Sequence, residues 1–198
     1  MHADWTVECG ADDPTVAVPW TNQGGSLRYI DLHAAGADVN QIPEAAQYPC
    51  LAAALRRWNQ ADAPIFTAKC DVWNYAADLF DAEDLPGSAY AHASYIDLLP
   101  RDEEIFSSFA ACEKLLRACT NAAQRIELAD CRCEWILRLA RIFPMTATQN
   151  AAPADVYSEG FATTLYVWGY GPSPHAAETV WGSALASLIE PVILTMAS

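Results

Sequence analysis

The amino-acid sequence predicts an α+β fold: a ferredoxin-like βαββαβ core of the split-βαβ kind, extended by a fifth strand and a C-terminal helix. Three observations carry this expectation. The tetrapeptide Tyr-Ile-Asp-Leu occurs twice, at 29–32 and 95–98. A basic–Cys–acidic triplet also occurs twice, as Lys69-Cys70-Asp71 and Arg132-Cys133-Glu134. A helical stretch stands between each tetrapeptide and its triplet, so each half reads strand–helix–strand. The tetrapeptides lie 66 positions apart and the triplets 63, so the marks keep their order and the second connection is three residues shorter. Two such halves in series give an antiparallel sheet with helices on one face. The two Tyr-Ile-Asp-Leu strands are then expected side by side at its centre.

Each element has its own signal. Residues 1–27 are dotted with Asp, Pro and Gly between short apolar pieces, and are expected to wrap the sheet as an arm. The first half covers 28–80. Pro49 suits a first helical turn, and Leu51, Leu55 and Trp58 recur at helical spacing. The segment IFTAKCDVW then reads as the returning strand.

The second half covers 88–143. Asp102, Glu103 and Glu104 place negative charge where a helix N-terminus favours it. Ile105, Phe109, Cys112, Leu116 and Cys119 follow as one apolar stripe. In CRCEWILRL, Cys131, Cys133, Trp135, Leu137 and Leu139 alternate with Arg132, Glu134 and Arg138, the mark of a half-buried strand.

The extension covers 161–196. FATTLYVWGYG, aromatic and β-branched, reads as the fifth strand. Ser173 caps and Pro174 opens the last helix, with Trp181, Leu185 and Leu188 inward. Stretches 80–90 and 145–160 read as loops with no shift in composition, so residues 1–198 are expected to form a single domain.

Composition narrows the function. The 198 residues hold 11 Lys and Arg against 25 Asp and Glu, a formal charge of −14, and 53% of them are hydrophobic. Such a balance repels phosphate backbones and anionic lipids, which argues against nucleic acid or a membrane as partner. Glu190 and Pro191 interrupt the C-terminal apolar run, which points to a packed helix. The N-terminal stretch MHADWTVECGADDP shows no signal-peptide pattern, and the seven cysteines are an odd number. Together these point to reduced thiols in a cytoplasm.

Catalytic signatures are missing: no G-x-S-x-G elbow, no H-E-x-x-H, no phosphate loop and no dinucleotide fingerprint. Cys131 and Cys133 fall on one side of a strand, with Cys70 expected on the same side. Zinc sites use turn-forming C-x₂-C pairs with a second ligand cluster, and the four histidines (His2, His33, His92, His175) are scattered. The thiols therefore read as core, and neither metal nor cofactor is expected.

What remains is the sheet face without helices. Alternation assigns Tyr29, Asp31, Tyr95 and Asp97 to its centre, Lys69, Asp71 and Trp73 to one flank, and Arg132, Glu134 and Arg138 to the other. Rings mixed with Arg and balanced charge are the composition of protein interfaces. The expectation is a non-catalytic domain that binds a partner protein, or its own copy, through this face. The alternative is a small-molecule-binding protein or enzyme. There a cavity at the face encloses paired Asp31 and Asp97 with Lys69 and Arg132, two carboxylates in different environments dividing acid and base roles.

Overall fold

The structure, a computed structural model, describes residues 1–22, 25, 28–34, 36–76, 88–144 and 157–197. Its strands are β1 (His2–Glu8), β2 (Val16–Val18), β3 (Ile65–Ala76), β4 (Tyr90–Pro100), β5 (Cys131–Ile142) and β6 (Ser158–Gly171). Its helices are α1 (Pro43–Gln47), α2 (Pro49–Trp58), α3 (Glu103–Phe106), α4 (Phe109–Gln124) and α5 (Pro174–Met196). They form an α+β fold around one mixed sheet of order β1-β5-β6-β4-β3, with β2 also on β5. The pairs β3–β4, β4–β6 and β5–β6 are antiparallel, whereas β1 and β2 run parallel to β5.

This order departs from the ferredoxin-like plan in three places. The strand expected at 28–32 does not form: Tyr29 to Leu32 belong to no strand. Instead the Asp31 carboxylate accepts the His33 N–H at 2.9 Å, an Asx turn that ends any extended run. The second Tyr-Ile-Asp-Leu lies inside β4 as expected. The segment expected as an added fifth strand is β6, and it sits in the middle of the sheet beside β4. The N-terminal arm is partly strand, because Ala3, Trp5 and Val7 alternate with Asp4, Thr6 and Glu8 along the β5 edge.

The helix expected after Asp102 is two helices. Asp102 caps α3 by accepting the Glu104 and Ile105 N–H groups, and Ser108 caps α4 by accepting that of Ala111. Of the loops expected at 80–90 and 145–160, residues 80–87 and 145–156 lie outside the described residues, while Tyr90 opens β4 and Ser158 opens β6.

Helices α2, α4 and α5 cover one sheet face. Trp58, Trp135 and Trp181 are fully buried there with Leu55, Leu116, Leu137 and Leu185. Each such leucine stabilises the fold by about 1.5–3 kcal/mol relative to exposure. Cys112, Cys119, Cys131 and Cys133 are buried in the same layer and half-buried Cys70 packs against it. Ser173 caps α5 by accepting the Ala176 N–H, and the Trp181 indole donates to Ser94 Oγ at 2.9 Å. Helix α5 continues through Pro191 to Met196. By length and composition α5 is apolar enough to cross a membrane, yet Trp181, Leu185 and Leu188 lie buried against the sheet.

A second, smaller cluster lies on the other face. Val16 and Val18 of β2 and Phe106 of α3 pack over Leu99, Ala140 and Ala162 at one end. From β2 the chain crosses to the opposite edge, where the Trp20 indole donates to the Ala68 carbonyl at 2.8 Å. Among the described residues, this strap and the small cluster leave the rest of the face uncovered by any helix or strand.

Candidate functional site

Residues directly opposite in neighbouring strands share a face, so the ladder registers lay out the open surface in rows. One row runs Asp4, Glu134, Tyr166, Tyr95, Asp71 from β1 to β3. The next, to one side, holds Arg132, Trp168, Ala93 and Trp73. To the other side come Ile136, Thr164 and Asp97, then Glu8, Arg138, Ala162 and the start of the covered cluster at Leu99.

The rings of the first two rows touch. Tyr95 and Tyr166 stand 5.8 Å apart between centroids, and Trp73 is 6.2 Å from Tyr95 and 6.3 Å from Tyr166. Trp168 stacks on Tyr166 at 5.5 Å with planes 14° apart. All four distances fall in the attractive range for aromatic pairs. A cation closes each end: Arg132 lies 5.7 Å over Trp168, and Lys69 lies 5.8 Å from Tyr95 and 5.2 Å from Trp20.

Carboxylates hold the guanidinium groups. Arg138 meets Glu8 at 2.8 Å, and Arg132 lies between Asp4 at 3.7 Å and Glu134 at 3.9 Å. Partly exposed pairs of this kind are worth at most about 1 kcal/mol each, so their role here is orientation. Asp97 differs, being only 6% exposed. The Thr164 hydroxyl donates to its Oδ1 at 2.6 Å. Burial pushes its carboxyl up to about 6, against the opposing pull of that hydrogen bond and of the Arg138 and Lys69 charges.

Of the ten residues expected at this face, Lys69, Asp71, Trp73, Tyr95, Asp97, Arg132, Glu134 and Arg138 lie on it. Tyr29 and Asp31 are not on a sheet strand. Tyr29 donates its N–H to the Trp20 carbonyl at 2.7 Å and packs against the smaller cluster, where burial raises its phenol to about 12. With Asp31 in its turn, the expected Asp31/Asp97 pair does not form on the sheet. The guanidinium whose charge acts on Asp97 is that of Arg138, one row away, whereas Arg132 stands two rows off.

The expected set omits Thr164, Tyr166 and Trp168, which complete the ring array and the Asp97 contact. Their signal was present, since they alternate with Leu165 and Val167, but it needs β6 at the centre to be read as part of the face.

A cavity of about 400 Å³ adjoins the face at the β3 edge, with Trp20, Arg28, Ile42, Leu55 and Lys69 among its walls. Among the described residues, no group of three or more His, Cys, Asp or Glu side chains is arranged to hold a metal ion. The Thr164 hydroxyl and Asp97 carboxylate resemble a nucleophile and base in distance alone, because both are too buried, at 1% and 6% exposure, to touch a substrate. Comparison with known proteins finds no matching family model, no similar curated protein and no similar solved structure.

Proposed function

We propose that this chain is a non-catalytic binding domain that docks a polypeptide on its open sheet face, with a second copy of itself as the occupant to test first. The observation that supports this is the contiguous array of Trp73, Tyr95, Tyr166 and Trp168 with Lys69 and Arg132 at its ends. Rings of this type offer large contact area while losing few rotamers, and with Arg they dominate binding hot spots. The charge pattern favours self-association. In a chain of −14 this face sets Lys69, Arg132 and Arg138 among Asp4, Glu8, Asp71 and Glu134. A twofold contact brings the same patch from both copies together, so it needs both signs of charge. Cytoplasmic residence belongs to the same proposal and is supported by seven free thiols.

Sedimentation velocity over a concentration series tests it. The expected result is a reversible dimer whose Kd rises about tenfold or more in Trp168→Ala, while the melting temperature moves by only a few degrees. A monomer at every concentration contradicts self-association. A dimer left unchanged by both Trp168→Ala and Trp73→Ala contradicts the choice of face.

A further inference from the structure

We infer that the cavity beside the β3 edge binds a small zwitterion with an apolar body, of the amino-acid class. Four charged side chains line it, Arg28 and Lys69 against Glu44 and Asp71, so its formal charge cancels. None of the four makes an ion pair among the described residues, whereas Arg57, Arg117, Arg132, Arg138 and Arg141 are each held by a carboxylate. Among the described residues the cavity thus carries two cations and two anions outside any ion pair, Asp71 accepting only the Val72 N–H at 2.8 Å.

Asp71 shares the open sheet face with Lys69, so Glu44 is the anion that stands apart. Lys69 Nζ lies 5.2 Å from the Trp20 ring, and the Arg28 backbone pairs with that of Thr21, the next residue along. The ring itself is pinned by its bond to the Ala68 carbonyl. Glu44 belongs to the other side of β3, where Cys70 packs toward the main core. Its charge adds to burial in pushing the Cys70 thiol up to about 12. Ile42 and Leu55 supply apolar wall on that side. A carboxylate at Trp20 and an ammonium toward Glu44 therefore match the site. A volume of about 400 Å³ lies within the roughly 300–1,000 Å³ of small-molecule pockets. The inference does not rest on docking of a partner at the open face.

The test is a ¹H–¹⁵N NMR titration of the full chain with L-phenylalanine and L-leucine. Their charge-stripped relatives 3-phenylpropionate, 2-phenylethylammonium and 2-phenylethanol serve as comparators. The expected result is that at least one amino acid shifts the Trp20 indole and the Ile42 and Cys70 amides with a Kd of about 1 mM or below. The three comparators should bind at least about tenfold more weakly, and Lys69→Met and Glu44→Gln should each weaken the amino acid about fivefold or more. The Trp168 indole should stay in place. No shift at the Trp20 indole with either amino acid overturns the inference. So does a comparator that binds as well as L-phenylalanine, or affinity unchanged in both variants.

Discussion

Tyr95 and Tyr166 stand directly opposite each other across the β4–β6 pair, and each has a carboxylate opposite it on its outer neighbour, Asp71 on β3 and Glu134 on β5. The rings are therefore carried by strands paired on both sides. A contact surface built this way is set by the sheet rather than by loops, so its geometry is ready before anything binds. Removing one ring then subtracts contact area without letting the backbone collapse into the gap.

Asp97→Asn should stabilise the protein at neutral pH and remove a pH slope. The folded carboxyl titrates at about 6 against an ordinary 3.8, so between these values the folded chain holds a proton the unfolded chain has released. The contribution is full below the lower value and is lost as pH rises through the upper one. A shift of this size corresponds to on the order of 2–3 kcal/mol. Asparagine keeps an acceptor for the Thr164 hydroxyl. Urea midpoints of both proteins from about pH 4 to about pH 8 should diverge by that order as pH rises; parallel curves would contradict the burial account.

His92 should act in the opposite direction. It is 1% exposed, wedged 4.5 Å from the Trp181 ring and 5.1 Å from that of Tyr48, and its Nε2 has no hydrogen-bond partner among the described residues. Burial lowers its pKa. Stability is then present above the ordinary value of 6.5 and lost as pH falls below it. In His92→Leu the acid-side loss between about pH 7 and about pH 5 should shrink. An identical profile in the variant would show that this imidazole is not a source of the loss.

Two glycines predict opposite outcomes for the same substitution. A Cβ on Gly169 would overlap the Trp181 amide and the Ala177 carbonyl, where α5 lies on β6. Gly169→Ala should cost about 2–4 kcal/mol, because the obstruction is backbone on both sides. A Cβ on Gly182, inside α5, meets the Cys50 side chain alone among the described residues, Sγ at 3.4 Å and Cβ at 3.8 Å. Gly182→Ala should be neutral or stabilising by up to about 1 kcal/mol. Denaturant unfolding of the two variants checks both signs.

What was legible in the sequence is what local alternation and capping decide. Cys133 and Trp135 face one way and Arg132 and Glu134 the other with no help from distant residues, so the flanks of the open face could be assigned. Ser173 and Pro174 likewise mark the start of α5 by themselves. The pair of identical tetrapeptides shows where such reading stops. Residues 95–98 lie in a long extended run paired on both sides by β3 and β6, while residues 29–32 meet a turn at His33. Four letters do not choose between those fates; partners do. The parallel pairing of β1 with β5 joins segments more than a hundred residues apart, and no short pattern announces it. The cavity draws on the strap, α1, α2 and β3 together, so none of its walls stands out in the chain by itself.

The central claim is that the open face is where another chain docks. The measurement that tests it most directly is a ¹H–¹⁵N NMR dilution series of the untagged protein from about 1 mM to about 10 μM, a range that brackets weak to moderate affinity. The account predicts that the concentration-dependent shifts gather at Tyr95, Asp97, Tyr166 and Trp168 and at the indoles of Trp73 and Trp168. Shifts gathered instead along the outer edge of β1 or around exposed Leu194 of α5, or no shift anywhere in the series, would contradict it.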